Sequence, residues 1–212
     1  MRILYTGFTP FGGESVNPSF EALRLLPDTL AGAELMRLEI PTEFGRGAQT
    51  LRAALAEYRP EVVICVGQAG GRAAVTPELA ALNHRHARIP DNAGFRPLEQ
   101  PICADGPAAY FSRLPVYRIA ERLRERGIPA AVSYSAGTYV CNELMYCLLR
   151  EAEREYPAMV CGFIHVPYSL EQAAAQAAPA PGMPLALIAE ALRLAGELSV
   201  EAARAQSSPT TA

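Results

Sequence analysis

Cys141 stands where a sulfur could act as a nucleophile. The run Pro129-Ala-Ala-Val-Ser-Tyr-Ser135 reads as a buried strand, and Ala136–Tyr139 reads as a tight turn. From Val140 to Arg150 the spacing is helical, with Leu144, Leu148 and Leu149 on one face. A cysteine in the first turn of a helix faces unpaired backbone N–H groups and the positive end of the helix dipole. Both favour thiolate over thiol, and the thiolate is the nucleophile. The same placement also suits a small apolar side chain that opens a core helix.

Such a nucleophile needs a base, commonly histidine. The chain has three. His84 and His86 share one face of a strand among Asn83, Arg85 and Arg88, which reads as an exposed edge. As a metal pair they lack a nearby Cys, Asp or Glu partner. His165 ends the apolar run Val160–Ile164 and precedes Pro167, so a rigid strand would hold it at a cleft. A hydrogen-bonded structural histidine fits that position too. A third group should orient the imidazole. Glu78, Asp91, Asp105 and Glu143 are the candidates, and spacing does not choose among them. Thr76-Pro77-Glu78 also reads as the start of a helix or turn, with threonine as cap.

The elements that must position these groups alternate along the chain. Strands are expected at Arg2–Gly7, Leu35–Ile40, Glu61–Val66, within Leu79–Ile89, at Ala130–Ser133 and at Met159–Val166. Helices are expected at Pro18–Leu26, Phe44–Tyr58, Pro115–Gly127, Cys141–Tyr156 and Leu185–Ala205. Phe8–Asn17, Pro90–Gly106 and Glu171–Pro184 read as loops. Apolar strands alternating with helices predict an α/β fold with a largely parallel sheet covered on both faces. Sites in such folds form at the carboxyl ends of the strands. Those ends hold Phe8–Gly13, Gly67–Arg72, Cys141 and His165. This convergence favours catalysis over core packing at Cys141.

Composition narrows the function classes. The chain has 212 residues, half of them hydrophobic and 19% charged, with a net charge of −3. That suits one α/β domain over residues 1–205, with residues 206–212 as a frayed tail. No basic patch stands out, which argues against a nucleic-acid partner. No run reaches membrane-spanning length, and the N-terminus enters a strand without a signal peptide, so a cytoplasmic protein is expected. The five cysteines contain no CxxC pair, which weakens zinc and redox-motif readings and suits a reducing compartment. GxGxxG, GxxxxGK[ST] and GxSxG are all missing, against nucleotide handling and a serine nucleophile. No cofactor or metal is expected.

Five ordered motifs resemble the pyroglutamyl peptidase I family (pyrrolidone-carboxylate peptidases). They are Thr6–Gly13 with Asn17-Pro18-Ser19, Val66–Arg72 with Thr76-Pro77-Glu78, Ala87–Asn92, Ser135–Asn142, and Gly162–Tyr168. The resemblance implies a three-layer α/β/α sandwich with a mostly parallel, mixed sheet, and commonly a homotetramer. It implies Cys141 as nucleophile, His165 as general base and acid, and Glu78 as the orienting acid. The reaction it implies is removal of an N-terminal pyroglutamyl residue from peptides, through a thioester. A non-catalytic lactam- or peptide-binding protein on the same scaffold is the alternative. The lactam is compact, neutral and half apolar. Phe8, Phe11, Tyr139 and Val140 would supply its slot and Gln68 an amide partner, while Arg88 and Ile89 lie in the motif similar to the family's substrate loop. Asn17 is expected to hold the Phe8–Gly13 loop. The chain departs from the family at Thr9, where aspartate is usual, at Tyr139, where phenylalanine is common, and at Glu143. Tyr139 is expected to change pocket polarity, and Glu143 to raise the pKa of the nucleophile slightly.

Overall fold

The computed structural model describes residues 1–207. Strand β1 (Arg2–Phe8) leads into a loop and helix α1 (Pro18–Leu23). Then come β2 (Thr29–Leu30), β3 (Ala33–Ile40), α2 (Arg46–Tyr58) and β4 (Val62–Gln68). Three short strands follow, β5 (Thr76–Pro77), β6 (Ala80–Leu82) and β7 (Ala109–Phe111), before α3 (Val116–Glu125) and α4 (Val140–Arg154). The chain continues through β8 (Val160–Val166), α5 (Leu170–Ala175) and α6 (Leu185–Ser207).

Six strands form one mixed sheet in the order β2-β3-β1-β4-β8-β5. The four central strands run parallel, and the two short outer ones are antiparallel to their neighbours. Side chains alternate across a strand. Ile3, Tyr5, Val62, Ile64, Val66, Val160 and Ile164 therefore enter one core, which also holds residues of α1, α3 and α6. Leu4, Val63, Cys65, Cys161 and Phe163 enter the other, with α2 and α4. This is the expected α/β/α sandwich. The same period places His165 on the α4 side of β8, two residues beyond Phe163. The register sets His165 opposite Gly67 on β4 and Thr76 on β5.

Several local expectations change. Ala130–Ser133 is not a buried strand: it makes only isolated bridges, Val75 with Ala130 and Glu78 with Ser133, and Tyr134 is exposed. It runs at the sheet margin beside residues 75–78, so one side lacks a neighbour. Thr76-Pro77 does not start a helix, because its backbone pairs with β8 instead. Glu171–Pro184, read as a loop, contains most of α5, which Ser169 and Gln172 close with reciprocal capping hydrogen bonds. Its alanine-rich sequence hid that signal. Gln206 and Ser207 continue α6, and the rest of the expected frayed tail, residues 208–212, lies outside the described residues.

Candidate active site

Cys141 is the second residue of α4. The residue before the helix, Tyr139, makes no side-chain cap, so the first N–H groups of α4 stay open towards the sulfur. The sulfur fits only because residue 67 is glycine: a Cβ there would lie 2.9 Å from Cys141 Sγ and 2.7 Å from the Phe163 ring. Enclosure pushes the thiol up to about 12, the nearby Glu78 carboxylate adds to the rise, and Arg72 opposes it. Enclosure of the free site therefore favours the thiol. Desolvation opposes the helix-terminus effect that favours a thiolate.

His165 is buried at the end of β8, with its ring 4.8 Å from that of Phe163. Its Nδ1 lies 2.7 Å from Glu78 Oε1. An ionised carboxylate only accepts, so Nδ1 donates and Nε2 is left for proton transfer. Glu78 is completely buried. Burial works against its charge, but the hydrogen bond and charge of His165, with Ser133 and Arg72, outweigh it and hold the carboxyl below its usual range. The other three acids are spent elsewhere. Asp91 accepts from the N–H groups of Phe44, Ala93 and Phe95. Asp105 pairs with Arg150 at the surface. Glu143 takes both Arg85 nitrogens and the Gly45 N–H.

Cys141 and His165 line one cavity of about 120 Å³. Phe8, Phe11, Ala136, Tyr139 and Val140 form its apolar wall, and Asn17, Thr42 and Gln68 its polar one. Gln68 Oε1 accepts from Gln172 Nε2 at 3.0 Å, which leaves the Gln68 NH₂ as its free end. Asn17 caps α1 and donates to Thr9 O at 3.1 Å, so it also holds the loop after β1. Thr42 donates to the same loop: its hydroxyl to Thr9 O and its N–H to Thr9 Oγ1. Thr9, one of the departures, is thus a hinge pin between two pocket loops. Arg88 is exposed and does not line the cavity. Ile89 is partly exposed and leans on Gly12, outside the lining.

The whole chain matches known proteins. Residues 1–202 match the family model described as pyroglutamyl peptidase. The chain belongs to the pyroglutamyl peptidase family. A pyrrolidone-carboxylate peptidase of Streptococcus pneumoniae is 47% identical over 201 residues, covering 95% of this chain and 94% of the relative. One from Bacillus velezensis is 48% identical over 195 residues, covering 92% and 90%. Among solved structures, pyroglutamyl peptidase I of Bacillus amyloliquefaciens aligns with a TM-score of 0.89 at 46% identity, covering 94% of this chain and 97% of that one. The pyrrolidone carboxyl peptidase of Thermococcus litoralis gives 0.91 at 38%, covering 96% and 95%.

Within this family frame, two expectations about the departures change. The Tyr139 hydroxyl leaves the pocket and donates to Pro90 O at 3.0 Å, while its ring packs edge-on against Phe44. It adds a tether rather than polarity. Glu143 does not act on the nucleophile: its charge raises the Cys147 thiol, and its own charge is matched by Arg85. Sequence reasoning missed Thr42 and Ala136 in the pocket wall. Thr42 lies just past the carboxyl end of β3, where the strand-end rule points. All five cysteines are free, and among the described residues no helix is long and apolar enough to cross a membrane.

Proposed function

We propose that Cys141, His165 and Glu78 carry out the family's reaction, hydrolysis of the bond after an N-terminal pyroglutamyl residue. The observation that carries this reading is one small pocket lined by a half-buried thiol and by an imidazole whose far nitrogen is held by a buried carboxylate. His165 Nε2 takes the thiol proton as Cys141 Sγ bonds to the pyroglutamyl carbonyl carbon. The oxyanion meets the uncapped N–H groups at the start of α4. The C–N bond then breaks as His165 returns the proton to the leaving amine. Water, deprotonated by His165, attacks the thioester, and free pyroglutamate leaves as the thiol is restored.

The pocket explains the choice of end group. Its wall suits a neutral ring, with the Gln68 NH₂ donating to the lactam carbonyl. An ordinary N-terminus would bring an unpaired ammonium into an apolar slot, which costs several kcal/mol. A binding-only protein has no use for a buried Glu78–His165 pair beside a thiol. We also read residues 1–205 as one domain, and the protein as a cytoplasmic homotetramer. Five free cysteines and the exposed Phe111, Tyr117 and Tyr134 support that reading.

Fluorophore release from pyroglutamyl-aminomethylcoumarin tests the assignment. Wild type turns it over and Cys141→Ser does not. Undiminished turnover by the serine variant would move the chemistry off Cys141.

A further inference from the structure

Arg72 reaches the same oxygen of the buried acid as His165 does. After β4 the chain turns at residues 69–72, where Arg72 N–H donates to Ala69 O at 3.2 Å. Gly71 adopts φ +89°, and a Cβ on Gly70 would fall 2.2 Å from the Tyr168 ring. Only this glycine pair lets the chain fold back so tightly. Arg72 is thereby thrown over β5. Its Nη1 donates to Thr76 Oγ1 at 2.6 Å and to Glu78 Oε1 at 2.7 Å. Glu78 Oε1 therefore serves the imidazole and the guanidinium together, while Oε2 makes no close hydrogen bond among the described residues.

Sharing one oxygen has a chemical consequence. A buried carboxylate paired only with His165 would hold the imidazolium proton tightly and would repel a thiolate at Cys141. A fixed cation on the same oxygen weakens both effects. We propose that Arg72 is a positioning residue of this enzyme, which holds Glu78 by Oε1 and tempers its charge so that His165 can both take and release a proton. The proposal rests on the roles assigned to Glu78 and His165 above. The groups whose charges act on Cys141 are Glu78 from the β5 side, Cys65 from β4 and Arg72, with Tyr139 beside it in the preceding turn. Arg72 is the cation of that set. It does not line the pocket, so it should act on kcat rather than on KM.

Arg72→Met, Arg72→Gln and Arg72→Lys are assayed with pyroglutamyl-aminomethylcoumarin across pH, beside Glu78→Gln. In Arg72→Met, kcat should fall about tenfold to hundredfold, the scale of one lost charge-assisted hydrogen bond, with KM within about twofold. Both limbs of the kcat/KM profile should move to higher pH, because a positive charge near the thiol and the imidazole is gone. Arg72→Lys should restore the limbs and most of kcat. Should the methionine variant not fold, Arg72→Gln, which keeps a donor without the charge, takes its place against lysine. Wild-type kcat and pH limbs in the neutral variant overturn the proposal. So does an equal loss in the lysine and neutral variants with unmoved limbs, which marks a purely structural role. If Glu78→Gln itself keeps wild-type kcat, the assignment of Glu78 fails. If Glu78→Gln is crippled and the neutral Arg72 variant is not, only the role of Arg72 fails.

Discussion

Two arginine–glutamate pairs, each with a buried acid and a half-buried arginine, have opposite uses in this molecule. Arg72–Glu78 joins the turn after β4 to the end of β5, and Arg85–Glu143 joins the loop after β6 to the first turn of α4. Both glutamates are almost fully buried. Glu143 is satisfied on both oxygens by a forked arginine and a backbone N–H. Glu78 crowds an arginine and a histidine onto one oxygen, and its other oxygen makes no close hydrogen bond among the described residues, with only Ser133 nearby to support the charge. A fully matched pair is a strap: it ties α4 to the loops at residues 45 and 85. An under-matched pair next to an imidazole is chemistry, because its residual charge falls on groups that must exchange protons. Closeness in sequence to Cys141 misleads here. Glu143 is two residues away and its charge falls on Cys147, while Glu78 is 63 residues away and its charge falls on Cys141.

Removing each acid in turn tests this contrast most severely. Glu78→Gln should keep the fold and lower kcat by about 10⁴-fold, as replacing the orienting carboxylate by its amide does in a Ser-His-Asp triad. Steady-state kinetics and a melting curve check it together, and a loss below tenfold would erase the distinction between the pairs. Glu143→Ala should do the reverse. Leaving the half-buried Arg85 and the Gly45 N–H without their shared partner should cost about 1–3 kcal/mol of stability, read by urea unfolding. The kcat of the folded fraction should stay within about threefold of wild type. A kcat collapse without destabilisation would make Glu143 part of the chemistry.

The smallest effect is the most specific. With its thiol raised to about 12, Cys141 is protonated across the neutral range. Its alkylation by iodoacetamide in the free protein should rise about tenfold per pH unit from pH 7 to 10. Glu78→Gln removes a negative charge, so that curve should shift to lower pH. Glu143→Gln should leave the Cys141 curve in place and shift the one for Cys147. Peptide mapping separates the two thiols. A Cys141 rate that levels off near neutral pH would mean a preformed thiolate–imidazolium pair.

Much of this molecule is written in the order of its residues. Apolar runs of strand length alternating with amphipathic helices dictate the layered sheet, since each must bury its apolar face. The strand-end rule then delivers His165 and the Gly67–Arg72 turn to one edge before any coordinate is known, whereas Cys141 reaches it at the start of α4 without a sheet strand before it. Local signals were weaker where the partner is remote. Residues 130–133 have strand composition, yet a strand needs a neighbour on each side to be buried, and only residues 75–78 provide one. The reverse holds for α5, whose alanine-rich sequence looked irregular until Ser169 and Gln172 closed on each other.

The sequence by itself determined the fold class, the nucleophile's place at a helix start and the histidine's place at a strand end. Those depend on periodicity and on neighbours a few residues away. Only the tertiary structure decided, independently of family likeness, which of four acids meets His165, where the Tyr139 hydroxyl goes, and how strongly enclosure opposes the helix terminus at Cys141. Each of these depends on charges and surfaces brought together from distant parts of the chain. Burial and Coulomb energy act through space, and no local pattern encodes their balance.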